Sequence, residues 1–375
     1  MPAAATAAAD DVQRFKCPSC SAGMEFDPAT GGLKCAYCGF AQKISHPVNT
    51  GVTELPLDDF LGAGAPGRLH RVTQEALEVT CTGCGSTVQF QPPEVAGVCP
   101  FCASAIVAQP KSADPEIAPN GVLPFGLEKR TATAAIQTWL SSRWFAPNAL
   151  KNVARAEGIH GVYVPFWTYD AQTSSAYAGQ RGDYYYETHY VNVQNARGEM
   201  ERQQQQVRHT RWSPASGSVA VDFDDLLVPA SRSIDEKRLR ELAPWDLEAV
   251  AAYEPAYLSG FKAQRYQVEL AGGFETAKLI AGASIRNSVE NDIGGDEQQV
   301  HSIDTRWSNV TFKHILLPVW IGAYRFQAKV FQVTVNARTG EVQGERPYST
   351  LKIGLAVVAA LILILLIVWL SQRPA

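Results

Sequence analysis

Between residues 128 and 143 the apolar positions Ala132, Ala135, Ile136, Trp139 and Leu140 fall three and four apart, which predicts an amphipathic helix. Residues 147–156, opened by Pro147, predict a second short helix. The pattern then changes. Residues 161–193 are dense in Val, Tyr, Phe, Trp and Thr, the composition of strands. Alternation there would bury one set of rings, Tyr163, Trp167 and Tyr185, and turn the other outward as protein-binding anchors; equally, both faces could be covered within the body. Residues 235–253 predict two helices broken at Pro244, and residues 275–289 predict another. Strand character returns from His301 to Val342, with a turn over residues 336–340. YVPFW (163–167) and LLPVW (316–320) resemble each other, either as a weak repeat or because Pro and Trp both mark strand starts.

The last apolar stretch, residues 353–370, reads IGLAVVAALILILLIVWL without a charge. At 1.5 Å per residue it makes a helix of about 27 Å, close to the hydrocarbon thickness of a bilayer. A core helix of that length would keep a polar face, so a single-pass transmembrane helix is expected. Tyr348 and Trp369 bracket it, and Lys352 is placed to snorkel.

The eight cysteines form four C-x2-C pairs, all before residue 103. Cys17, Cys20, Cys35 and Cys38 recur as Cys81, Cys84, Cys99 and Cys102 at one constant displacement of 64, with Phe26 matching Phe90 and Pro28 matching Pro92. Each copy is C-x2-C-x14-C-x2-C, which lets two thiolates from each of two tight turns converge tetrahedrally on zinc. Two Zn2+ ions are therefore expected, each with four protein ligands and no open position for catalysis. The alternatives at this spacing are redox C-x-x-C chemistry and rubredoxin-like iron. Phe26 and Phe90 are expected to cover the sites. Gly39 and Gly85 are expected to free backbone amides for the sulfurs.

Residues 1–14 read as a disordered, Ala-rich leader, with no basic region or apolar run like a signal peptide. This places the cysteines in a reducing cytosol and the protein at the inner membrane, with its N-terminal bulk on the cytosolic side. Residues 1–110 carry six basic against ten acidic side chains, the reverse of a phosphate-binding stripe, so nucleic acid is an unlikely partner. No P-loop, H-E-x-x-H or G-x-S-x-G occurs, so no motif argues for an enzyme. Two clusters remain as weak candidates, Asp222/Asp224/Asp225 for a divalent ion and Asp296/Glu297/His301 for a hydrolytic site. Both read more simply as a solvated strand edge and a polar loop.

The expected architecture is multidomain: ribbons at 15–45 and 77–110, a linker at 46–76, a β-rich α+β body at 120–345, and the transmembrane helix. The ribbons together with WFAPNALKNVA, GVYVPFWTYDA, FDDLLVPAS, PWDLEAV, IGGDEQ, FKHILLPVW and VNARTGEVQGERPYS resemble a bacterial family of membrane-anchored double zinc-ribbon proteins. Its members are labelled TFIIB-type zinc-ribbon proteins or primosomal protein N′ (replication factor Y) superfamily II helicase-like. The resemblance covers residues 15–352 and carries over the eight zinc cysteines only; the helicase's nucleotide-binding motifs are absent here. It implies a scaffold near stomatin-like (SPFH) or phage-shock membrane proteins. A membrane-tethered adaptor is thus the leading expectation, with a nucleic-acid-associated factor and a hydrolase as alternatives.

Overall fold

The computed structural model describes residues 15–44, 51–61, 77–81, 85–90, 96–98, 100–101, 105–107, 117–143, 158–194, 200–326, 329–345 and 349–371. The leader at 1–14, the helix expected at 147–156 and Tyr348 lie outside them. Strands β1 (Met24–Asp27), β2 (Gly32–Cys35) and β3 (Ala41–Lys43) form a small antiparallel sheet, the first ribbon. Then come β4 (Leu55–Pro56), the single-turn helix α1 (Asp58–Leu61) and two hairpins, β5 (Leu77–Thr80) with β6 (Thr87–Phe90) and β7 (Ala96–Val98) with β8 (Ala105–Val107). The body runs β9 (Gly121–Val122), α2 (Lys129–Ser141), β10 (Ile159–Gln194), β11 (Met200–Pro229), α3 (Glu236–Glu241), β12 (Ala251–Ala252), β13 (Lys262–Ala263), α4 (Leu270–Ile293), β14 (Glu297–Phe326), β15 (Lys329–Asn336) and β16 (Val342–Gly344). Helix α5 (Thr350–Ser371) follows.

One sheet of order β11-β10-β14-β15-β16 organises the body. Its strand β10, between β11 and β14, is a single extended segment of 36 residues, where the sequence predicts several separate strands. At 3.3 Å per residue it spans on the order of 100 Å. The similar segments YVPFW and LLPVW are cross-strand partners: Tyr163 faces Pro318 and Pro165 faces Leu316. The expected turn after β15 forms, with Gly340 at φ 81° donating its amide to the Asn336 carbonyl at 2.9 Å.

Both neighbours of β10 bulge at the same level. Tyr169 pairs with Leu226 and Ala171 with Phe223, so Asp224 and Asp225 together face Asp170. On the other side Asp170 pairs with Thr311 and Gln172 with Ser308, which leaves Asn309 and Val310 opposite Ala171. Asp225 and Asn309 sit at φ 53° and 52°, a conformation that Asp and Asn adopt at least cost among residues with a side chain beyond Cβ. Bulges on two flanking strands bend the sheet there and divide it into a root and an upper part.

The root holds the main cores. Tyr163, Phe166, Trp167 and Tyr169 are buried, and three of them place their polar atoms on backbone carbonyls. Tyr163 donates to Tyr257 at 3.1 Å, Trp167 to Val268 at 2.9 Å and Tyr169 to Leu270 at 2.7 Å. Helix α2 adds Ala132, Ile136 and Leu140, the positions expected from the periodicity. Residues 235–253 deliver α3, capped by the Asp235 carboxylate on the Arg238 amide, and then a 3-10 turn at Leu247–Ala249 in place of a second α-helix. Helix α4 starts earlier than expected because Gly273 belongs to it. A Cβ there would sit 2.8 Å from Trp167, so glycine lets the helix lie directly on the root rings. Ala277, Ala281, Ile285, Val289 and Ile293 continue that buried face along the upper sheet.

The ribbon and linker are less separate than the sequence implies. Phe26 packs on Tyr257 and Phe261 of the body, and its amide donates to the Ser259 carbonyl at 2.9 Å. Cys17, Met24, Leu33 and Cys35 share one apolar cluster with Tyr163 and Val335. Within the expected linker, β4 pairs with β14, Leu57 is buried, and Phe60 meets Phe312 edge-on at 5.1 Å. Among the described residues, α5 alone is long and apolar enough to cross a membrane, over Lys352–Trp369. No part of that span is buried against the rest of the chain.

Candidate metal centre

The first ribbon builds its site from two like turns. The Cys17 amide donates to the Ala22 carbonyl (2.7 Å) and the Ser21 amide to the Cys17 carbonyl (2.8 Å). In the second turn the Cys35 amide donates to Phe40 and the Gly39 amide to Cys35, at 2.8 and 3.0 Å. Ser21 and Gly39, each directly after a second cysteine, take φ 60° and 75°. The Gly39 amide closes its turn on a carbonyl, while the Cys38 and Tyr37 amides reach the Cys35 sulfur.

The four sulfurs of Cys17, Cys20, Cys35 and Cys38 lie within 4.8 Å of one another. Cys17 Sγ is 3.5 Å from Cys38 Sγ, and Cys20 Sγ is 3.5 Å from Cys35 Sγ. Tetrahedral coordination with bonds of about 2.3 Å separates sulfurs by about 3.8 Å, so the group fits one zinc ion with only small adjustment. The Cys35 thiol is drawn down to about 7, first by the Cys38 amide, with burial opposing and the Tyr37 amide assisting. Cys20 is pushed up to about 12: the Ala22 amide lowers it, but bonds with the Cys38 and Cys35 thiols outweigh that. A divalent cation removes this conflict, since every sulfur can then be a thiolate.

In the second copy Cys81 repeats the first turn bond for bond. Its amide donates to the Ser86 carbonyl and the Gly85 amide donates to the Cys81 carbonyl, both at 2.8 Å, with Gly85 at φ 72°. These are the positions of Cys17, Ala22 and Ser21 displaced by 64. Cys84, Cys99 and Cys102 lie outside the described residues, as does the Phe90 side chain. Cys81 and Phe101 are buried in a body cluster with Leu123 and Val162, and Gln332 Nε2 donates to the Phe101 carbonyl.

The weaker sequence candidates resolve into structural contacts. Asp224 and Asp225 join Asp170 at the bulge, whereas Asp222 pairs in the ladder with Gln172. The Lys313 ammonium occupies the acidic cluster, 2.7 Å from Asp225, 3.4 Å from Asp170 and 3.3 Å from Glu54. Burial disfavours that ammonium, but its bond to Asp225 outweighs this and holds Lys313 above the usual lysine range. Burial also pushes Asp170 upward, although three contacts to one ammonium favour the carboxylates as a group. Asp296 accepts the Tyr184 amide at 2.6 Å, and Glu297 accepts the Tyr184 hydroxyl at 2.7 Å. His301 is exposed on β14, and no ligand group among the described residues includes it.

One constellation escaped the sequence. Glu187, His189 and His209 present three ligand atoms within 4.8 Å of one another. Helical i, i+4 spacing does not find it. The usable signal was Glu-x-His on a strand, which places both on one face, and the partner His209 required the β10–β11 register.

No family model matches this chain, and no solved structure matches it. The chain is similar to the "Uncharacterized protein YdjG" of Bacillus subtilis (strain 168), 25% identical over 342 residues. That alignment covers 90% of this chain and 91% of the relative.

Proposed function

We propose that this chain is a membrane-tethered adaptor. Two zinc ribbons brace an α+β body, which presents protein-binding surfaces to a cytosolic or membrane-associated complex. One observation carries the reading: the chain leaves the sheet toward the apolar helix at one end, and a long exposed arm stands at the other. The chain leaves β16 toward α5 at the level of Gln332 and Ala323, the end where β10 begins. At the other end Asp183–Gln194 pairs with Met200–Arg211 as two strands beyond Glu297, where β14 begins. One face of this arm carries Tyr186, Tyr190 and Met200, all exposed, beside Arg202 and Arg208. Arg202 lies 4.3 Å over Tyr190, and Arg208 lies 4.2 Å over Tyr184. Tyr, Met and Arg are the residues enriched at protein interfaces.

In this reading α5 spans the inner membrane once, the bulk stays in the cytosol, and stomatin-like or phage-shock proteins are candidate partners. The repeated Cys81 turn supports a second zinc ion. The test places a photo-crosslinking amino acid at position 186 in membranes from intact cells. Crosslinks to a defined protein, lost when the chain is cut after Thr350 and released from membranes, support the adaptor. Crosslinks to nucleic acid, or a truncated chain that still sediments with membranes, overturn it.

A further inference from the structure

We propose that Glu187, His189 and His209 form a third metal site on the arm, of a kind that takes zinc or another first-row divalent transition ion. The Glu187 carboxylate is the hub: its Oε2 lies 3.6 Å from His189 Nε2 and 3.8 Å from His209 Nε2. Both distances are too long for hydrogen bonds. Ligands at about 2.1 Å on a tetrahedral ion stand about 3.4 Å apart, within a few tenths of an ångström of both distances.

The register explains why the three meet. Glu187 faces Val207, Tyr185 faces His209 and His189 faces Gln205, so all six occupy one face of the arm. Val207 is short and apolar, which leaves the volume above it to the two imidazoles reaching in from either side. His209 stacks on Tyr185 with centroids 5.4 Å apart, which fixes its ring plane. Its Nε2 is shielded from solvent and has no hydrogen-bond partner among the described residues, the position of a nitrogen awaiting a ligand. Arg211 lies two residues beyond His209 on this face, and its guanidinium is engaged over the Tyr185 ring at 5.2 Å.

There is also a mechanical reason. A two-stranded ribbon without a covered face is marginally stable in water. Glu187 and His189 belong to β10 and His209 to β11, so an ion bound by all three ties the strands where β14 no longer supports them. Three protein ligands leave a fourth position open, unlike the closed cysteine centres.

Full-length protein in detergent, loaded with zinc, is dialysed at buffered free zinc in the nanomolar and then the micromolar range. Metal content is compared with that of the double variant His189→Gln/His209→Gln. The wild type should hold one more zinc per chain at micromolar free zinc, and the variant should not, while nanomolar zinc leaves the two equal. Amide exchange across residues 183–212 should slow with micromolar zinc in the wild type alone. Equal zinc content of wild type and variant at every concentration, with metal-free exchange alike, would overturn the site. If metal-free exchange differs, Glu187→Gln replaces the double variant under the same criterion.

Discussion

The root and the arm of β10 have similar composition and opposite environments. At the root Tyr163, Phe166, Trp167 and Tyr169 are buried; on the arm Tyr186 and Tyr190 are exposed, and Tyr184 and Tyr185 lie between. Aromatic content makes both of them strand. What differs is what the rest of the chain lays over each. The root has flanking strands on both sides, α4 above Trp167 and Tyr169, and the segment around Tyr257 and Phe261 against Tyr163. Among the described residues the arm has one partner strand.

Metal removal should separate the two regions most. Structural zinc contributes on the order of 10 kcal/mol of apparent binding free energy. Chelation should therefore unfold the first ribbon and release the Phe26 amide from Ser259, read as lost exchange protection at Met24–Asp27 and around Ser259. Arm amides should keep their protection under conditions in which only the cysteine centres had been loaded. Equal loss in the arm would show the two regions to be one cooperative unit.

Truncating rings should give the next largest contrast. Trp167→Ala removes a fully buried indole and its bond to Val268, a loss of about 3–5 kcal/mol in denaturant unfolding. Tyr186→Ser should change stability by less than about 0.5 kcal/mol, because its ring is 60% exposed. A loss from Tyr186→Ser comparable to that from Trp167→Ala would mean the arm face is covered.

The smallest effect is a pH dependence confined to the root. His314 is buried between Trp167 and Tyr266, and burial holds its imidazole down at about 4. Nδ1 is 2.8 Å from the Ile117 carbonyl, and Nε2 has no partner among the described residues. The folded value lies below the unfolded value of about 6.5, so the unfolded chain takes the proton first. Stability from this group is complete above pH 6.5 and is lost as the pH falls toward 4. Between pH 7 and 5 the loss is about 2 kcal/mol, and His314→Gln should flatten that slope. An unchanged slope would assign the acid sensitivity to other groups.

Much of the root was legible in the sequence. Ala132, Ile136 and Leu140 gave α2 by their spacing, and the turn ending at Gly340 followed from its residue types. The start of α4 was not legible, because Gly272 and Gly273 look like breakers until Trp167 is seen beneath them. The clustering of the first four cysteines was legible, since their sulfurs come from two local turns. The Glu187/His189/His209 group was only half legible, because its third member lies across a strand pair.

The sequence by itself determined what depends on neighbours along the chain: the cysteine turns, the helical and strand periods, and an uninterrupted apolar helix. Tertiary structure alone decided which aromatic rings are core, that Phe26 and Leu57 belong to the body's packing, and that Lys313 fills the acidic bulge. Those outcomes depend on register and on close approach between segments far apart in the chain. Shifting a strand by one residue reverses every face it presents, and periodicity carries no record of which partner a strand will find.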